Sequence, residues 1–86
     1  MACSRAARTS RSGCDGSAEM LFHLGMMYCL GREVGQDYVT AHKWFNIAAL
    51  RGSEAAKRHR CDISREMTAR QISDAQRLAR DWISVH

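Results

Sequence analysis

Proline is absent from the 86 residues, so the chain lacks the residue that most reliably breaks a helix. Aromatic residues are scarce at 7%, too few to supply the base-stacking platforms of a single-strand nucleic-acid binder. The cysteines, Cys3, Cys14, Cys29 and Cys61, form no C-x-x-C pair and no regular framework. That fits reduced thiols better than a disulfide scaffold, so a cytoplasmic location is expected. No apolar run is long enough to cross a membrane: the longest, 20–30, is short and contains His23. A secretory signal is not expected either. Arg5, Arg8 and Arg11 are followed by Asp15 and Glu19 rather than by an apolar stretch and a small-x-small cleavage site.

What is present is the composition of one small folded domain, 45% hydrophobic and 26% charged. A chain of this length buries only about 60% of the surface its unfolded form exposes, so its stability alone is expected to be marginal. The net charge of +4 is uneven. Residues 1–16 carry three Arg against Asp15, whereas 51–86 carry eight basic and five acidic groups. Basic ends raise nucleic acid as a partner. In the C-terminal part, however, acids and bases alternate at helical spacing, as on a solvated face, so nucleic-acid binding is not the expected function.

Hydrophobic periodicity reads as four helices after a Ser-, Arg- and Ala-rich segment. Residues 1–17 bury almost nothing and are expected to be a flexible basic tail. A first helix is expected over 18–30, with Ser17 as N-cap. Met20, Leu24, Met27 and Tyr28 share one face, and Leu21, Phe22 and Met26 extend the apolar surface around it. A helix apolar on several sides is covered by neighbours on more than one flank. Gly25 inside it costs about 1 kcal/mol against Ala, so a close helix–helix approach is the expected reason for it. Gly31 stops this helix, a polar loop follows, and Asp37 caps a second helix over 38–50 with Ala41, Trp44, Phe45 and Ala48 on its stripe. Gly52 ends that helix. Ser53 caps a third, over 54–66, with the thinner stripe Ala56, Ile63, Met67. Thr68 and Gln71 form a capping box that opens a fourth, running to 84, with Ile72, Ala75, Ala79 and Trp82 opposite a charged side. The expected fold is all-α, a solenoid of two antiparallel helical hairpins.

Superposing Met20 on Ala56 aligns the first and third helices, with His23 on His59 and Met27 on Ile63. Leu24, Gly25 and Tyr28 meet no counterparts, so the second copy is degenerate. The set Leu24, Gly25, Tyr28, Gly31, Val34, Asp37, Ala41, Trp44, Ala48, Ala49, Gly52 and Ala56 resembles the signature of the Sel-one-like repeat family, relatives of the tetratricopeptide repeats. The spacing separates the two: Ala41 lies sixteen residues after Gly25, longer than a tetratricopeptide unit allows. The segment 67–82 is also similar to the C-terminal end of bacterial members. The resemblance divides the chain into one complete repeat (18–52), a degenerate third helix (53–67) and an amphipathic capping helix (68–86). It departs from the family loop at Glu33, where a second Gly is usual, and at Gly35, where Pro is common. If that Gly takes a positive φ, Glu33 is strained.

The resemblance implies an α-solenoid that scaffolds complexes or binds peptides on a concave surface, without catalytic residues, metal or cofactor. One cysteine-rich branch is linked to β-lactam binding or hydrolysis, but its regular disulfide pairs and an S-x-x-K motif are missing here, and Ser53 to Lys57 is one residue too long. Nothing offers a nucleophile with an adjacent base and an orienting third group. Trp44 and Phe45 are expected to pack rather than stack on a ligand. His23, His59 and Cys61 make an incomplete metal set. The plainer expectation is a polar row that contacts a protein partner through His23, Met27 and His59. With no helix ahead of the first repeat, the flank of helix 18–30 is expected to bind another chain or a second copy. Cys29 and Cys61 sit about a helical turn apart along the axis and are not expected to be bridged.

Overall fold

Four helices account for nearly all the ordered backbone among residues 12–85, which the computed structural model describes, with side chains from Ser17 onward. They are α1 (Ser12–Leu30), α2 (Tyr38–Leu50), α3 (Glu54–Ser64) and α4 (Ala69–Val85). There is no strand among the described residues, and the fold is all-α with helical-hairpin packing.

The helix ends obey local chemistry. Asp37, with extended backbone, accepts hydrogen bonds from the amides of Val39 and Thr40 at 3.1 and 3.2 Å and from the Thr40 hydroxyl at 2.8 Å. Ser53 Oγ accepts from the Ala56 amide at 3.1 Å. Thr68 and Gln71 exchange reciprocal bonds, 2.9 Å to the Thr68 amide and 3.1 Å to the Gln71 amide, and so start α4. Gly52, at φ +106°, ends α2: its amide donates to the Ala49 carbonyl at 3.1 Å while Ser53 donates to Ala48 at 3.0 Å. These two crossed bonds form a Schellman cap.

The loop after α1 is organised by the carbonyls that α1 leaves open. Met27, Tyr28 and Cys29 offer three of them; the Arg32 amide, the Asp37 amide and Gln36 Nε2 take one each, at 2.9, 3.0 and 3.0 Å. Reaching all three requires a tight path, with Gly31 at φ +74° and Glu33 at φ +64°. Glu33 therefore does occupy the left-handed region that disfavours a side chain.

Gly25 is the contact point of α1 with α2. A Cβ placed there would lie 2.5 and 2.6 Å from Cε1 and Cδ1 of the Phe45 ring, far inside van der Waals distance. Phe45 is wholly buried, together with Ala41, Ile47, Ala48, Ala56 and Ala75. Arg51, just beyond the end of α2, reaches back to Ser17 near the start of α1 (Nη1 to Oγ, 3.0 Å), so the pair runs antiparallel. The helix α2 is central and packs against α1, α3 and α4 in turn, which is why its buried set includes His42 and Ile47 beyond the expected stripe.

Several expectations need correction. Helix α1 begins at Ser12 rather than at Ser17 or Ala18. Ser17 is therefore not an N-cap but an in-helix hydroxyl that accepts from Arg51, and the backbone of 12–17 is helical. The rest of that expected tail, 1–11, lies outside the described residues. The buried face of α1 is Ala18, Leu21 and Gly25, with Leu24 and Tyr28 half-buried, whereas Met20 points outward. A helix apolar all round gives no periodic clue to its inner face; the close approach of Phe45 at Gly25 selects it. Helix α3 stops at Ser64, two residues early, in a turn closed by bonds from Glu66 to Ile63 and Met67 to Ser64. Finally, α4 packs chiefly on α2 rather than forming a second hairpin with α3. Its buried Ala75 and Ala79 are small enough to let the two backbones approach.

Candidate interaction surface

Two sets of side chains are candidates for function: the aromatics and polar groups between α1, α2 and α3, and the outer face of α1. The first set is absorbed by packing. Trp44 is half-buried rather than fully in the core; the Trp82 ring lies edge-on to it at 5.7 Å, and Lys43 Nζ sits 4.3 Å from its centroid. Its Nε1 is buried without a hydrogen-bond partner, so Trp44 offers a ligand neither a free ring face nor a polar handle. Phe45 lies beneath His59, the rings stacked 5.7 Å apart.

Between α2 and α3 runs a polar chain. Ser64 Oγ donates to the Arg60 carbonyl at 2.7 Å and lies 3.0 Å from His42 Nε2. With its only proton given to Arg60, Ser64 can accept alone, so His42 carries its proton on Nε2. Burial, then the Arg60 guanidinium, lower the His42 pKa from its usual value, and Nδ1 of the ring is buried without a hydrogen-bond partner. Arg60 Nη1 in turn donates to Asn46 Oδ1 at 2.7 Å. Every member of this chain is tied to another helix or turn, and it works as a tie between α2 and α3. His42 carried no signal in the sequence, because its partner lies in a different helix and its own neighbours are apolar and cationic.

Of the three expected partner contacts, the structure keeps two together. His23 is exposed and Met27 half-buried, and both line a groove of about 460 Å³ with Phe22, Met26, Leu30 and Arg32. His59 lies elsewhere: it is half-buried, with its ring 5.4 Å from Phe22 and stacked on Phe45. Phe22 stands between the two histidines, 5.9 Å from His23. The expected polar row is thus split, one member supporting the core and one facing out. Among the described residues no three His, Cys, Asp or Glu side chains gather as a metal site would require. Cys61 is exposed and Cys29 half-buried, with burial raising the pKa of the Cys29 thiol, and neither is in a disulfide.

Among the described residues, no other helix covers the apolar side chains on the outer face of α1. Met20 is 66% and Leu30 53% exposed. With His23 and Met27 they form one line at i, i+3, i+7 and i+10, opposite Leu21 and Gly25. Helix α4 makes the contrast: it buries its small residues and turns Arg70, Gln71, Gln76, Arg77, Arg80 and Asp81 outward. Polar side chains therefore cover most of the outer face of α4, with Ile83 and Val85 exposed at its C-terminal end, whereas the outer face of α1 carries Met20 and Leu30. No helix among the described residues is long and apolar enough to cross a membrane. In comparisons with known proteins, no family model, no curated protein and no solved structure gives a significant match to this chain.

Proposed function

We propose that the chain is a non-catalytic protein–protein interaction module of the Sel-one-like repeat type, with the outer face of α1 as its working surface. The observation that carries this reading is the line Met20, His23, Met27, Leu30, with Met20, His23 and Leu30 exposed and Met27 half-buried, on a helix whose opposite side is already packed. A run of large apolar side chains left in water favours association, since each gains about 25 cal/mol per Å² of surface covered.

The repeat assignment draws support from three local features. Gly25 admits the Phe45 ring. Glu33 takes a left-handed φ where the family has Gly. Gly52 closes α2 in a Schellman cap.

The test is affinity capture from cells with the tagged full chain, beside a Met20→Lys/Leu30→Lys variant. Both changes fall at exposed positions, so circular dichroism should show an unchanged fold. Proteins held by the wild type and released by the variant support the reading. Identical recovery by the two removes the α1 face from consideration.

A further inference from the structure

The line on α1 reads the same from either end. Met20, His23, Met27 and Leu30 are spaced three, four and three residues apart, the a/d spacing of a coiled-coil seam. A large apolar residue closes each end of this seam, Met20 at one and Leu30 at the other. Turned end for end about a point level with Gly25, the seam sets Met20 against Leu30 of the copy and His23 against Met27 of the copy, four layers over about 15 Å of helix.

Charge follows the same symmetry. Glu19 lies just before the seam and Arg32 just after it; both are exposed, and neither has an ion-pair partner among the described residues. In the end-for-end arrangement each Glu19 falls within one residue of Arg32 of the copy. A parallel pairing would instead set Glu19 on Glu19 and Arg32 on Arg32, which is repulsive at both ends. Arg32 lines the groove beside Leu30, where its guanidinium can reach across.

We infer that a second copy of this chain covers the α1 face, antiparallel about a two-fold axis, through the Met20, His23, Met27, Leu30 seam and two Glu19–Arg32 ion pairs between copies. The inference rests on the reading of that face as an interaction surface. Such an interface is isologous, so every contact occurs twice. It is also short, which places the dimer among weak, exchanging ones.

Sedimentation velocity of the full chain from about 1 to 500 μM checks this. The expected result is a reversible monomer–dimer equilibrium. Glu19→Arg and Arg32→Glu should each weaken it about tenfold, because the axis applies each like-charge clash twice. The double exchange Glu19→Arg/Arg32→Glu should restore the dimer, and high salt should erase the differences among the variants. A wild-type chain that stays monomeric throughout that range, with native helicity, overturns the inference. So does a dimer indifferent to Met20→Lys/Leu30→Lys, or a double exchange no better than the singles. A monomeric chain that still captures proteins through Met20 and Leu30 refutes the second copy alone; one whose capture also ignores these residues refutes the interaction surface itself.

Discussion

Replacing Gly25 with Ala should destabilise the protein, against the ordinary behaviour of a helical glycine. In an unconstrained helix interior this substitution stabilises by about 1 kcal/mol, because Ala restricts the unfolded chain. Here the added Cβ would lie 2.5, 2.6 and 3.1 Å from three carbons of the Phe45 ring. Phe45 is wholly buried and packed between Phe22 and His59, so the ring cannot swing into solvent. Relief requires α1 to move outward, and overpacking of that kind costs about 1–3 kcal/mol. At the upper end, the propensity gain offsets a third of the cost, leaving a net loss of about 2 kcal/mol. For a domain of this size that lowers Tm by roughly 8–16 °C. Thermal and urea denaturation followed at 222 nm measure it. The decisive comparison is the same change in a Phe45→Leu background, where the ring is gone and Gly25→Ala should become neutral or stabilising. A wild-type background in which Gly25→Ala raises Tm would refute the account of this contact, as would a cycle with no coupling between the two sites.

Three further outcomes follow from single features. Glu33→Gly relieves the left-handed backbone at φ +64° and should raise stability by up to about 1 kcal/mol, less whatever freedom Gly adds to the unfolded chain; a lower Tm would contradict it. The neutral His42 gives a signed pH dependence: above pH 6.5 neither state binds a proton there, and below it the unfolded chain takes one up while the folded chain resists. Stability should therefore fall as pH drops from 6.5 toward the lower folded value, and His42→Gln should flatten that part of the urea-midpoint profile; an unchanged slope would assign the effect to other groups. Iodoacetamide should modify exposed Cys61 well before Cys29, whose thiol is half-buried with its pKa raised, and mass spectrometry of a time course reads the order directly.

Features set by neighbours in the chain were legible in advance. Asp37, Ser53, the Thr68–Gln71 box, Gly31 and Gly52 all act within a few residues of themselves, and each ends or starts a helix as its chemistry demands. The close approach at Gly25 was legible because a mid-helix glycine needs a reason; that the reason is Phe45 was not. Features set by distant partners stayed hidden. The inner face of α1 could not be read, since apolar residues surround that helix and only contact with α2 distinguishes Leu21 from Met20. The stripe of α4 showed which side is buried but not that α2, rather than α3, covers it. His42 was invisible for the same reason, as was the turn of His59 toward the aromatic core. Its repeat position matched His23, yet Phe22 and Phe45 claim its ring.

The central place of α2 sets the order in which the molecule comes apart. Each of the other helices rests on it, so the amides of α2 are freed only when the whole structure opens, and they should be the last to exchange with solvent deuterium. Helix α4 has a different fate. Its principal support is α2, with Trp82 against Trp44 as its large aromatic contact, so α4 can lift away while the other three helices hold together. Its amides should exchange early and as a block, in step with a change in tryptophan emission, making the α4 side of the molecule the side that opens first.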